Sequence, residues 1–259
     1  MDFKIGTYKG LSYEEYAAIP AYRSHDLMAA DRCVFSWKNE APMKETPALI
    51  EGRLQHTVFL EFDKFDEEFV IEPNVDRRTK AGKEEYEDFK NSLNGRSPVK
   101  QEMYDVCMER REIVKDFIPD PEDHVEWTVC FMWHGQQFKC RLDWYCTAFQ
   151  FVWDLKTCRD ASPRGFKSAV NNFKYFQQAA LYVDAMEYSG IPCNGFKFLA
   201  QEKAHPYPYA VYQLSDEALE YGRAKNEKAL KNILDCKASD EYLPFGLEGV
   251  QLIGLNDLY

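Results

Sequence analysis

Residues 149–157 of the chain read Phe-Gln-Phe-Val-Trp-Asp-Leu-Lys-Thr, an aromatic and β-branched run followed by an acid and an amine. Such a run predicts a β-strand. Because side chains alternate between the two faces of a strand, Asp154 and Lys156 project from one face while Trp153 and Leu155 project from the other. An acid and an amine therefore share one surface of a predicted sheet.

A second acid, Asp143, ends another strand-like run eleven residues before Asp154. The pattern Asp-x-Lys occurs four times, beginning at residues 2, 88, 154 and 235. Only the copy at Asp154 follows an aromatic run and has such an upstream acid. The two segments predict a hairpin that brings the two carboxylates together.

Two close carboxylates favour a hard divalent cation, which takes oxygen ligands from protein, water and phosphate. A lysine beside the cation can orient or help to deprotonate water and offset the charge of a phosphate. Asp143, Asp154 and Lys156 therefore predict phosphodiester hydrolysis. The alternative is a surface hairpin whose Asp and Lys form an exposed ion pair that contributes little stability.

Gln178 follows Lys156 at a distance that allows a connection and the start of a helix. Of the glutamines in the chain, only Gln178 has a tyrosine, Tyr182, four positions later. Residues four apart share one helix face, where an amide and a phenol can hold a DNA phosphate or Lys156. The alternative is a solvated glutamine above a half-buried tyrosine.

The composition is that of an ordinary globular protein, with 259 residues, 45% hydrophobic and 29% charged. No apolar run approaches the roughly 18 residues of a membrane span, and the N-terminus lacks the apolar segment of a signal peptide. We expect a cytoplasmic protein with no membrane partner.

Eight cysteines are present, but none forms a Cys-x-x-Cys pair, which argues against a zinc ribbon. The same spacing argues against an iron–sulfur cluster. We expect reduced, mostly structural thiols, since intracellular chains of this size rarely use disulfides.

The net charge of −11 conflicts at first sight with DNA binding. Positive residues nevertheless gather near the proposed site and in one earlier stretch, which predicts a basic track inside an acidic surface. The alternative is scattered, solvated charges. The candidate DNA-binding residues are Arg77, Arg78, Lys80, Arg141, Arg159, Arg164, Lys167 and Lys174.

The order of predicted elements indicates a mixed α/β fold, with a central mixed sheet flanked by helices. Residues 1–259 are predicted to form one domain, with a mainly helical part at 1–120 and a catalytic sheet and helices at 121–235. Helices are predicted at 51–62, 83–89, 101–117, 174–188 and 216–235. Strands are predicted at 125–133, 138–145, 150–157, 196–200 and 207–213, with an irregular tail from Glu241.

Taken together, these motifs resemble the PD-(D/E)xK nuclease superfamily, and within it the phage-type exonuclease VIII family, the nuclease domain of RecE. The resemblance covers most of the chain. Its motifs are Leu11-Ser-Tyr-Glu-Glu-Tyr, Ser24-His-Asp-Leu, Gly52-Arg-Leu-Gln-His56, Asp76-Arg-Arg-Thr-Lys-Ala-Gly-Lys-Glu, Cys140-Arg-Leu-Asp143, Asp154-Leu-Lys-Thr157 and Tyr175-Phe-Gln-Gln-Ala-Ala-Leu-Tyr182.

The resemblance implies a restriction-endonuclease-like core and a Mg²⁺-dependent 5′-to-3′ exonuclease on linear double-stranded DNA, with Mn²⁺ as a substitute. It implies binding to DNA ends, a homo-oligomeric ring and a single-strand annealing partner in phage recombination. It also implies that Lys156 serves the nucleophilic water and that Gln178 and Tyr182 support the site. The implied metal ligands are His56, Asp143, Asp154 and the Leu155 carbonyl, with Glu126 as a further metal or supporting acid.

The chain departs from the family pattern at two places. Gly52-Arg-Leu-Gln stands where many members have Gly-Thr-Ala before the helix histidine, and Leu142 stands where proline is common. Neither change removes a ligand. The other readings are a RecB-like or Cas4-like repair nuclease on single strands, and an inactive DNA-binding module.

Overall fold

The computed structural model describes residues 4–41 and 46–245. The strands are β1 (Gly6–Tyr8), β2 (Phe69–Ile71), β3 (Ser97–Val99), β4 (His124–Trp133), β5 (Gln136–Cys146), β6 (Phe151–Cys158), β7 (Phe196–Glu202) and β8 (Tyr209–Gln213). The helices are α1 (Tyr13–Ala18), α2 (Ser24–Arg32), α3 (Val34–Lys38), α4 (Pro47–Leu60), α5 (Phe65–Glu68), α6 (Lys80–Asn91), α7 (Gln101–Ile113), α8 (Pro163–Asn172), α9 (Tyr175–Tyr188) and α10 (Asp216–Ser239).

A six-stranded sheet with the order β1-β4-β5-β6-β7-β8 forms the centre of the molecule. Neighbouring strands are antiparallel except β6 and β7, which are parallel and joined through α8 and α9. The predicted central mixed sheet is confirmed, and the predicted strands at 125–133, 138–145 and 150–157 are its consecutive antiparallel strands β4, β5 and β6. β1, and the separate parallel pair β2-β3, were not predicted, because three-residue strands carry too little alternation to be recognised.

Helices cover both faces of this sheet. On one face, α2, α9 and α10 contribute Leu27, Leu181 and Ile233 to a core that includes Val129 and Phe198. The other core is formed by different residues, namely Leu54, Val58, Val114, Trp144, Leu155 and Leu199. Lys156 and Leu155 therefore point to opposite faces, as the alternation of β6 predicts.

Helix ends follow local capping signals. Ser12 and Glu15 form a capping box at the start of α1, with reciprocal hydrogen bonds of 3.1 and 2.8 Å. The prediction that α4 begins at residue 51 was wrong: it begins at Pro47, where proline suits the first turn and the Thr46 hydroxyl accepts from the N–H of Leu49. α7 ends at Ile113 and is followed by one 3₁₀ turn at 115–117, so the predicted helix was too long.

Candidate active site

The end of the β5-β6 ladder places the first carboxylate. The ladder pairs Trp144 with Trp153, and just beyond this pair the backbone N–H of Leu155 donates to Asp143 Oδ2 at 2.7 Å. The Asp143 side chain thus replaces a strand carbonyl as the acceptor. This hydrogen bond holds Asp143 beside the strand that carries Asp154, as the predicted hairpin requires.

Asp154 and Lys156 share one face of β6 in direct contact. Lys156 Nζ lies 2.7 Å from Asp154 Oδ2, and Asp154 is 1% exposed. Gln178 of α9 joins the pair: its Nε2 donates to Asp154 Oδ1 at 2.9 Å, and its Oε1 accepts from Lys156 Nζ at 3.2 Å. The pair is therefore no exposed surface ion pair, and Gln178 orients both of its members.

Tyr182 lies one turn beyond Gln178 and inside the core. It packs against Phe196 with ring centroids 6.1 Å apart, and burial raises the pKa of its phenol well above the ordinary value. A buried phenol at this position supports Gln178 from behind and is not open to DNA.

A second group of candidate ligands faces this pair. One ligand atom from each of His56, Glu126 and Asp143 lies within 4.8 Å of the others. His56 Nδ1 is 3.4 Å from Glu126 Oε1, and His56 Nε2 is 3.8 Å from Asp143 Oδ2. α4, β4 and β5 each supply one member, so the group depends on the tertiary fold.

Glu126 holds its place at a conformational cost. The register pairs Val125 with Trp144 and Trp127 with Leu142, so Glu126 stands opposite Asp143, with a φ of 44° inside β4. The left-handed region costs a residue other than glycine about 1–2 kcal/mol. Arg141 Nε donates to Glu126 Oε2 at 2.5 Å and offsets its charge. Such strain is typical of functional positions.

The electrostatics of the group fit a bound cation. Burial, followed by the charge of Asp154, raises the pKa of Asp143 to about 7. Although burial opposes its charged form, the carboxylates of Asp143 and Glu126 raise the pKa of His56 to about 9. The carboxylates of Asp143 and Asp154 thus repel each other, and a divalent cation would relieve that repulsion.

The donor set also suits such a cation. One imidazole and two carboxylates form a set that Mn²⁺ accepts readily, and Mg²⁺ uses the same carboxylates with water. Asp154 lies beside this set with its oxygens near Lys156 and Gln178. The backbone N–H of Leu155 contacts Asp143, and the ligand role of its carbonyl stays a prediction.

Lys156 has a further neighbour, Tyr175, which begins one of the sequence motifs but was assigned no role there. Its Nζ lies 4.6 Å from the ring centroid of Tyr175, at the start of α9. Although burial opposes the ammonium form, Asp154 and Asp143 raise the pKa of Lys156. Tyr175 is three residues before Gln178, and this spacing on one helix face was the signal that could have found it.

The predicted DNA-binding cations have varied surroundings. Arg77 lies over the ring of Tyr86, Arg78 pairs with Asp76, and Lys80 lies 3.8 Å from Glu84. Arg159, Arg164 and Lys167 are exposed, Lys174 is 4.0 Å from Asp31, and Arg141 contacts Glu126. Their contact with DNA stays a prediction. The eight cysteines are free thiols, and four of them are buried.

Comparison with protein families gives a match over residues 28–247 to the PDDEXK-like domain of unknown function (DUF3799). The chain belongs to this family. Membership places it in the PD-(D/E)xK superfamily, and the six-stranded sheet between helices is its restriction-endonuclease-like core. Family and fold together support a nuclease. No curated protein matches the chain.

Among solved structures, the chain is similar to that of a "Putative exonuclease" from Eubacterium rectale, with a TM-score of 0.57 and 13% sequence identity. The alignment covers 97% of this chain and 98% of that protein, so the two share the fold over their whole lengths. The structure of SSO0001 is less similar, with 10% identity, coverage of 79% of this chain and 85% of that chain, and a TM-score of 0.28. Within residues 4–41 and 46–245, no helix is both long and apolar enough to cross a membrane.

Proposed function

We propose that the protein is a divalent-cation-dependent deoxyribonuclease that hydrolyses phosphodiester bonds at DNA ends. The observation that carries the proposal is the contact of Gln178 with both Asp154 and Lys156, next to the group formed by His56, Glu126 and Asp143. A binding module has no need to hold an acid, an amine and an amide in one arrangement.

The chain's own residues perform distinct tasks. His56, Glu126 and Asp143 would hold the cation, with Asp154 beside them. A divalent cation there supplies Lewis-acid polarisation of a phosphoryl oxygen and acidification of water. Lys156, kept in the ammonium form by Asp154, orients the attacking water and offsets charge on the phosphate. Gln178 keeps Lys156 from turning away, and Tyr182 supports Gln178.

The finer activity is a Mg²⁺-dependent 5′-to-3′ exonuclease on linear double-stranded DNA, with Mn²⁺ as a substitute. It would act in phage recombination, as a ring, with a single-strand annealing partner. Support comes from the resemblance of the motifs to the exonuclease VIII family and from the description of the Eubacterium rectale protein as an exonuclease. A RecB-like or Cas4-like nuclease on single strands is the alternative enzyme.

The test is digestion of a linear duplex labelled at either end, beside a closed circle, in Mg²⁺ or EDTA. We expect early release of the 5′ label, no loss of the circle and no activity in EDTA. The Asp154→Ala variant should be inactive while Asp88→Ala, which alters another Asp-x-Lys copy on the exposed side of α6, should keep full activity. Activity of Asp154→Ala equal to that of the unmodified protein would overturn the site. Early release of the 3′ label would overturn the polarity.

A further inference from the structure

The junction between α8 and α9 presents an aromatic side chain to solvent beside the candidate active site. Phe173 is 62% exposed, although it follows directly on α8 and precedes α9 by two residues. Most of the Phe173 surface therefore lies outside the core. The ring lies close to Lys156, where it is open to contact with a substrate.

A rigid chain of contacts fixes the distance from Phe173 to the site. The Phe173 ring stacks on Tyr175 with centroids 5.5 Å apart, and Lys156 Nζ lies 4.6 Å from the same Tyr175 ring. The Phe173 ring therefore lies within about 10 Å of Lys156 Nζ, about three base steps of a DNA strand. Tyr175 is held from behind by Phe198, at 5.9 Å, and by Phe166, at 6.4 Å.

The backbone between the two rings is strained. Lys174 has a φ of 58°, in the left-handed region, and this turn separates α8 from α9. The left-handed conformation is less favourable for lysine than for glycine, because lysine has a Cβ atom. The turn directs Phe173 outward while Tyr175 points toward Lys156.

The charges of α8, the helix that ends just before Phe173, suit a polyanion. α8 carries Arg164 and Lys167, both exposed, and no acidic residue from Pro163 to Asn172, in a chain whose net charge is −11. Exposed cations on the helix that ends at a solvent-exposed ring match a nucleic-acid strand, whose phosphates bind cations and whose bases stack on rings. One isolated ring is too small for a stable protein interface.

We propose that Phe173 is the stacking surface for an unpaired nucleobase within three nucleotides of the scissile phosphate, with the neighbouring phosphates near Arg164 and Lys167. The inference rests on the proposed nuclease function and adds a base-binding subsite to it. The enzyme would therefore bind a frayed or single-stranded terminus in preference to a fully paired one.

Binding and cleavage are measured separately to test the subsite. The Asp154→Ala background prevents cleavage, and affinity is measured by anisotropy for duplexes with a three-nucleotide unpaired 5′ end. We expect Phe173→Ala to weaken binding by about 5- to 150-fold, the range for loss of one stacked base, and Phe173→Trp to restore it. Phe149→Ala is the matched control, because Phe149 is 71% exposed at the β5-β6 turn, beyond the other end of β6.

A substrate series identifies the stacked base. At one of the three unpaired positions, an abasic nucleotide should weaken DNA binding by the protein that retains Phe173. The difference in affinity between that protein and the Phe173→Ala variant should then disappear. Equal affinities of the proteins with and without the Phe173→Ala substitution for every DNA would overturn the subsite, even if the unmodified protein cleaves DNA. A clear Phe173 effect on binding without cleavage by the unmodified protein would retain the subsite and overturn the nuclease proposal.

Discussion

The Thr157 hydroxyl donates a hydrogen bond to Gln55 Oε1, and this contact joins the two halves of the site. Gln55 directly precedes His56 on α4, and Thr157 directly follows Lys156 on β6. Gln55 is 1% exposed, so the bond is shielded from water. The position of His56 relative to Lys156 is therefore set by a polar contact on the opposite face of β6.

Replacement of Thr157 by valine tests this positioning role. Valine keeps the shape but removes the donor, so α4 can shift relative to β6. We expect apparent affinity for the activating cation to fall about 10-fold or more, as is typical when a group that orients a ligand is removed. Thr157→Ser should restore it. A loss of thermal stability in Thr157→Val with unchanged cation dependence would assign Thr157 a purely structural role.

Asp143 should oppose stability until a cation binds. Its charge is disfavoured by burial and by Asp154, so Asp143→Asn should raise the melting temperature of the cation-free protein while still accepting the Leu155 N–H. Addition of Mn²⁺ or Mg²⁺ at 100 times its Kd should stabilise the unmodified protein by about 2.7 kcal/mol and leave Asp143→Asn unchanged.

Differential scanning fluorimetry, with and without cation, checks this behaviour. Asp88→Asn is the matched control, since it makes the same change at an exposed acid of α6 and should respond to cations like the unmodified protein. A cation response that survives in Asp143→Asn would exclude Asp143 as a ligand.

The parts of this fold that depend on local pattern could be predicted from sequence. The pairing of Asp154 with Lys156 follows from strand alternation, and the antiparallel triplet follows from its long apolar runs. The group of His56, Glu126 and Asp143 joins residues up to 87 positions apart, so no local pattern indicates it, and only the family resemblance named all of its members. The left-handed conformation of Glu126 could not be predicted, because the tertiary contacts that offset its strain leave no local sequence pattern.

Lys139 makes long-range hydrogen bonds that no sequence pattern predicted. These bonds hold α1 against the sheet. The Lys139 ammonium group, on a side chain that is 4% exposed overall, donates to the carbonyls of Tyr16, Ala17 and Ile19 at 2.7, 3.0 and 2.8 Å. Lys139→Met would leave these carbonyls without their charged donor. We expect a loss of about 2–4 kcal/mol in the free energy of unfolding.

Chemical denaturation measures this loss. Lys231→Met removes a lysine whose ion pair with Asp235 is exposed, and should change the free energy by no more than about 0.5 kcal/mol. Equal stabilities of the Lys139→Met and Lys231→Met variants would show that Lys139 does not anchor α1.

Two helical glycines should respond to alanine in opposite directions. A Cβ at Gly222 of α10 would lie 2.4 Å from the carbonyl oxygen of Phe176 in α9, whereas a Cβ at Gly52 of α4 would meet nothing within 4 Å. Alanine raises helix propensity by about 1 kcal/mol at both sites, but at Gly222 the clash should outweigh it by about 1–3 kcal/mol.

We therefore expect Gly52→Ala to raise the melting temperature and Gly222→Ala to lower it. Because α9 also carries Gln178, the shift forced by Gly222→Ala should disturb the contacts of Gln178 with Asp154 and Lys156 and lower cleavage as well. Increased stability in both variants would mean that α9 and α10 are packed less closely than the contact between Gly222 and Phe176 requires.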